Sequence, residues 1–172
     1  MQAQWVAAGL EALRKGGVGG VRVERLAADL GITKGSFYWH FRDRGELLEA
    51  LLEFWAREMT EAEFERIREV KGGLVRRLTV LAEDVLEKGI GRYDPAVRAW
   101  ARTDRKVAAA VAQVDRRRVR ALTGLFEEGG FAAGGASARA RLFYTFLLGE
   151  PQVRAPARES GELKRIVEVL TA

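Results

Sequence analysis

An all-α fold is predicted, with a small three-helix head at the N-terminus and a helical-bundle body behind it. Three observations carry the prediction. Apolar residues recur at spacings of three and four almost throughout, and alternating strand patterns are nearly absent. Proline is confined to positions 95, 151 and 156, leaving long stretches free to be helical. Residues 23–47 (VERLAADLGITKGSFYWHFRDRGEL) read as two short helices joined by a tight glycine turn and followed by the start of a longer helix. The natural division is a head over 1–45 and a body over 46–172.

Roughly nine or ten helices are expected from the periodicity. The first covers about 2–15, with Trp5, Ala8, Ala12 and Leu13 inward, and Gly16–Gly20 reads as a loop. The second runs over about 23–30, where Val23, Leu26, Ala27 and Leu30 fall at i, i+3, i+4 and i+7. Gly31 ends it, Thr33 is the natural N-cap of the third, and the third extends to about Phe41. Asp43 and Glu46 form a capping box for a fourth helix that reaches about Arg68, before Gly72-Gly73. A fifth occupies about 74–88, with Leu74, Leu78, Leu81 and Val85 on one stripe. Asp94-Pro95 then opens a short helix. A long helix or a broken pair follows over 104–128. The glycine pairs at 129–130 and 134–135 bound a loop before a helix over 137–149. A loop over 151–160 precedes a final helix over 162–170.

Composition narrows the function classes. The 172 residues are 48% hydrophobic and 31% charged, enough for a packed core under a polar surface. Cysteine is absent and there is one histidine, which excludes disulfides and thiolate metal sites and leaves no metal or cofactor expected. No run of ~18 apolar residues exists, so no membrane partner is expected and a cytoplasmic setting is the simplest fit. With no glycine-rich phosphate loop behind a strand, an enzyme is not expected. The acids at 46, 49, 53, 58, 61 and 65 read as a solvated helix face. The net charge of +5 is uneven: residues 1–45 hold seven Lys/Arg and four Asp/Glu, or +3. That bias suits a polyanion at the N-terminal end.

The third helix carries the functional signal. On a wheel of 100° per residue, Phe37 and Phe41 lie together and face the core. Gly35 and Trp39 lie opposite, flanked by Ser36, Tyr38 and His40. A solvated helix would carry Lys or Glu there. A DNA reader has use for these residues: Gly35 lets backbone approach a major groove, and Trp39 can press on base edges or a thymine methyl. Thr33, Lys34, Ser36, Tyr38 and His40 can donate to phosphates, and Arg22, Arg42 and Arg44 bracket the motif as backbone grips. The competing reading buries Trp39 and Tyr38 under the fourth helix or a partner.

Leu26-Ala27, Gly31, Thr33-Lys34-Gly35, Phe37-Tyr38, His40-Phe41, Asp43-Arg44 and Glu46-Leu47 together resemble the N-terminal domain of TetR-family transcriptional regulators. The resemblance is dense over about 45 residues; beyond them it is one of length and helical layout. It implies a homodimer with two DNA-binding heads, and a variable body that binds a small molecule and releases DNA. Two positions depart from the family pattern: Arg22 stands where a capping Thr is usual, and Gly45 where an acid is common. Only three or four residues precede the first helix, so no basic arm is expected to reach a minor groove.

In the body, the helix over 137–149 is apolar nearly all round and needs burial on two sides. Leu142 and Phe146, with Val111, Val114, Leu122 and Leu125 of the preceding helix, are the expected dimer contacts; a central helix of a monomeric bundle is the alternative. Trp55, Met59, Leu78, Trp100, Phe126 and Phe143 either line a pocket for a small apolar effector or are simply core. Arg116-Arg117-Arg118 reads as a solvated face. The expected function is thus a ligand-responsive homodimeric repressor of a palindromic operator on double-stranded DNA. The alternative keeps the DNA-binding head but makes the body a protein-interaction module.

Overall fold

The computed structural model describes residues 1–153, 159 and 161–172, the side chain of Met59 excepted. No strand occurs among them. In chain order the helices are α1 (Gln2–Gly20), α2 (Val23–Leu30), α3 (Lys34–Phe37), α4 (Arg44–Ala56), α5 (Glu63–Glu69), α6 (Leu74–Leu86), α7 (Asp94–Ala101), α8 (Arg105–Glu128), α9 (Ala133–Gly149) and α10 (Glu162–Thr171). A π-helical segment, Arg57–Ala62, joins α4 to α5, and 3-10 turns occupy Ile90–Tyr93 and Glu150–Gln152. No helix among the described residues is long and apolar enough to cross a membrane.

Two compact units result. The first comprises residues 1–59 and 92–113, the second 60–91 and 114–172. The helix-turn-helix therefore does not stand on residues 1–45 alone: α7 and the first half of α8 pack with it. Trp5, Leu10, Leu13, Leu26, Phe37, Leu47 and Leu51 form the centre of the first unit, none more than 1% exposed. Polar ties join distant segments of it. Tyr93 Oη donates to Glu11 at 2.8 Å, Trp55 Nε1 donates to buried Asp94 at 2.6 Å, and Lys106 pairs with Glu49 at 2.5 Å.

The Tyr93 hydroxyl holds the Glu11 carboxyl below its ordinary value of 4.5, with Arg14 and Arg92 also facing it. Because the folded value is depressed, this contact stabilises fully above about pH 4.5 and is lost as pH falls through the folded value. Glu24 and Glu46 shift in the same direction through their bonds to Lys34 and to the Arg42 amide. Thermal melts should therefore show a stability loss below about pH 4.5, and Glu11→Gln should flatten part of that acid limb. An unchanged acid limb in Glu11→Gln would remove the Tyr93–Glu11 tie from the account.

The second unit is built on α6, α8, α9 and α10. Ile67, Leu78, Leu122, Phe126, Phe143 and Val167 are fully buried in one cluster. Its polar groups are partnered: buried Asp84 pairs with Arg66 and with Lys88, and Tyr144 Oη donates to Asp115 at 2.7 Å.

Several expectations need correction. The first helix breaks after Lys15 as expected, at non-helical Gly16 and Gly17, but a helical stretch then resumes to Gly20 where a loop was expected. The fourth helix is divided by the π segment. The long helix is unbroken from Arg105 to Glu128. α9 begins at Ala133 and absorbs Gly134-Gly135, which the glycine count had assigned to a loop. The Arg116–Arg118 run is not uniformly solvated: Arg117 pairs with Glu61, and Arg118 is 8% exposed with Nε donating to Thr60. Of the 151–160 loop, residues 154–158 and 160 lie outside the described residues.

Candidate nucleic-acid interface

The turn between α2 and α3 is made by local chemistry. Gly31 sits in the left-handed region, at φ 67° and ψ 29°, where a side chain would be strained. Its N–H donates to the Ala28 carbonyl, and the Ile32 N–H to the Ala27 carbonyl, which closes the last turn of α2 in a Schellman arrangement. Ala27, 4% exposed, is small where α2 meets α3. Thr33 caps α3, its hydroxyl oxygen accepting from the Ser36 N–H at 3.3 Å while the Ser36 hydroxyl donates to the Thr33 carbonyl at 2.7 Å.

α3 is a single turn rather than the two expected. Residues 38–40 continue as turns, with the His40 and Phe41 amides both donating to the Phe37 carbonyl. A helix this short has little macrodipole, so phosphate contact falls to side chains more than to its N-terminus. The division into two faces survives the shortening. Phe37 is 0% and Phe41 2% exposed, whereas Tyr38 is 56% and Trp39 87% exposed. Phe37 packs edge-on to Trp5 at 5.1 Å and stacks on Phe41 at 5.3 Å. Gly35 is exposed; Ser36 and His40 are half-buried. Trp39 and Tyr38 are therefore not buried under α4 within the chain.

The basic residues have partners that sequence did not show. Lys34 Nζ lies 2.5 Å from the Glu24 carboxylate on α2, which raises the Lys34 pKa and lowers that of Glu24. Arg44 donates from Nε to the Val21 carbonyl at 2.6 Å and from its terminal nitrogen to the Val18 carbonyl, clasping the α1–α2 connection. Arg22, the N-cap residue of α2, makes no side-chain cap; its Nε donates to the Gly19 carbonyl at 3.2 Å. Arg44 thus has a structural task in the free chain beside any phosphate contact.

The entry to α4 explains one departure from the family pattern. Asp43 Oδ1 accepts from the Glu46 N–H at 2.9 Å. The Glu46 carboxylate reaches back to the Arg42 N–H at 2.6 Å, one residue before the position a capping box would use. A Cβ at Gly45 would stand 3.0 Å from Asp43 Oδ1, so glycine leaves the cap room.

Residues 6–51 match the family model for bacterial regulatory proteins of the tetR family. The likeness to the TetR family rests on this head. The tetracycline repressor class A from transposon 1721 of Escherichia coli is 42% identical to this chain over 48 residues, which are 28% of this chain and 22% of the repressor. Among solved structures, reduced Escherichia coli NemR superposes with a TM-score of 0.76 at 18% identity, over 99% of this chain and 93% of that one. A transcriptional regulator from Aquifex aeolicus gives 0.72 at 20% identity, over 98% and 95%. A candidate regulator from Saccharomonospora viridis, in complex with choline, gives 0.73 at 12% identity, over 98% and 93%. At these identities the structural likeness speaks to the fold of the whole chain, while the sequence match is confined to the head.

The expected pocket residues divide between the two units. Trp55 and Trp100 belong to the first, at 0% and 8% exposure; Leu78, Phe126 and Phe143 are fully buried in the second. The Met59 side chain lies outside the described residues. None of the other five is among the residues lining the two cavities of the second unit.

The dimer stripe on α8 also needs correction. Val111, Val114, Leu122 and Leu125 are 8%, 2%, 0% and 2% exposed in a single chain, so they have almost no area left to bury against a partner. They are claimed by the chain's own core. On α9 the situation differs: Ala136, Ala140, Phe143, Tyr144 and Leu147 face inward, while Leu142 is 60% exposed. Ala138 and Thr145 are exposed beside it, and Phe146 and Gly149 half-buried.

Proposed function

We propose that this chain is a TetR-family regulator: a homodimeric, ligand-responsive transcriptional repressor that reads a palindromic operator. The observation that carries the reading is the opposition of exposed Trp39 and Tyr38 to buried Phe37 and Phe41. An indole 87% exposed in the turns that follow the one-turn α3 contributes nothing to the fold and is suited to base edges. Gly35 allows close approach, while Thr33, Lys34, Ser36, Tyr38, His40, Arg22 and Arg44 supply donors for phosphates. Two heads would enter successive major grooves about 34–36 Å apart.

Dimerisation is supported by the outward face of α9, where Leu142, Ala138, Thr145 and Phe146 offer an apolar strip with small neighbours. An interface of about 1,200–2,000 Å² is expected. An effector held by the body would act by binding one arrangement of the dimer better than the other. The Saccharomonospora viridis protein, of similar fold, is in complex with choline, which supports small-molecule binding by a chain of this fold.

Selection from random DNA, followed by gel shifts against the recovered site, tests the reading. A selected site with two inverted half-sites supports it; failure to enrich any sequence contradicts it. Lys34→Ala should then weaken selected and scrambled DNA alike and lower the salt slope by ~1. An unchanged slope would mean that Lys34 stays with Glu24 in the complex.

A further inference from the structure

The second unit carries a cavity of about 620 Å³ that DNA binding does not use. Its volume falls within the ~300–1,000 Å³ range of small-molecule sites. Leu74 and Val75 of α6 line one wall and Phe131, after α8, lines another. Phe131 is held in place by an edge-on contact with Phe126 at 5.8 Å and by the Arg139 guanidinium 4.4 Å from its ring centre. The apolar surface is therefore organised rather than loose.

Charge is arranged around that surface. Arg76 and Lys164 both border the cavity. Lys164 is shared with Glu168 at 3.5 Å, and neighbouring Arg77 is spent on Glu128 at 2.9 Å. Arg76 is exposed and makes no ion pair or side-chain hydrogen bond among the described residues. Past Thr79 and Lys164 the surface turns acidic: Glu83, Glu87 and Glu159 line an adjoining cavity of about 400 Å³. An anion is drawn to the Arg76 end and repelled from the other, which fixes the polarity of an occupant.

We propose that this cavity binds a small amphipathic carboxylate, its apolar tail on Leu74, Val75 and Phe131 and its head group on Arg76. A guanidinium suits a carboxylate because its planar fork can donate two parallel hydrogen bonds. The proposal rests on the effector reading above for its consequence in DNA release. Binding itself is measured without DNA.

Titration calorimetry of the full chain with octanoate, and with 1-octanol as the uncharged control, tests it. Saturable octanoate binding is expected. Arg76→Gln should weaken it about tenfold while leaving octanol binding unchanged. Val75→Trp, which fills the cavity, should abolish both. Absence of saturable octanoate binding, or affinity unchanged in Arg76→Gln and Val75→Trp, overturns the proposal. Because Arg76 is exposed, its substitution leaves the fold intact and keeps the test valid even if Val75→Trp unfolds the chain. Octanoate binding without operator release keeps the site and removes the effector reading. Operator release by another metabolite, with no octanoate binding, does the reverse.

Discussion

Phe37→Ala is expected to destabilise the DNA-binding head by about 3–5 kcal/mol, the range for truncating a fully buried aromatic. Phe37 is 0% exposed and touches three rings: Trp5 at 5.1 Å, and Phe41 and Tyr38 each at 5.3 Å. Collapse into the void is restricted. Trp5 is pinned on α1, and the backbone around Phe37 is held by the amides of His40 and Phe41. Since a whole domain is stable by only ~5–15 kcal/mol, the head should lose ordered structure well before the second unit. Denaturant unfolding followed by tryptophan fluorescence, with amide exchange in α2 and α3, reads the effect. Trp39→Ala is the contrast, expected within ~0.5 kcal/mol of the parent because its ring is solvated. Equal stability of Phe37→Ala and the parent would mean that the inward face is misassigned.

Leu142→Glu is expected to convert the proposed dimer to a monomer at micromolar concentration. Leu142 is 60% exposed, with Ala138 and Thr145 exposed and Phe146 half-buried beside it, and a carboxylate at its position would be desolvated in the proposed interface. Operator affinity should fall by about 10²–10⁴, the gain that bivalent binding gives over a single head. Sedimentation velocity reads the mass and gel shifts read the affinity. Leu122→Ala separates the two kinds of apolar residue: at 0% exposure it should lower thermal stability and leave the monomer–dimer balance unchanged. A Leu142→Glu protein that remains dimeric would move the interface elsewhere.

What sequence revealed and what it hid follow from the range of the interactions involved. Local rules suffice for the helix-turn-helix. Gly31 ends α2 because of its own backbone freedom, Thr33 and Asp43 cap the residues three positions on, and the wheel separates Phe37 from Trp39. Contacts between distant segments were not legible. Trp55 meets Asp94 across 39 residues, and Tyr93 meets Glu11 across 82. No pattern in either segment announces its partner. Periodicity also shows which residues share a face without showing what covers it. That is why the α8 stripe reads either as a contact for a second subunit or as bundle core, and why Trp55, Leu78, Trp100, Phe126 and Phe143 read either as pocket lining or as core, when the chain itself buries both sets. Gly134-Gly135 misled for a related reason: glycine weakens a helix by about 1 kcal/mol, a cost that burial of Ala136, Ala140 and Phe143 offsets.

In the proposed function the exposed residues around α3, Trp39 above all, read base sequence. Fluorescence anisotropy with Trp39→Ala, on the selected operator and on scrambled DNA at matched salt, tests it most directly. Operator affinity is expected to fall by about tenfold or more, as for the loss of one good base contact, while scrambled binding stays the same. An unchanged ratio of the two affinities would contradict it.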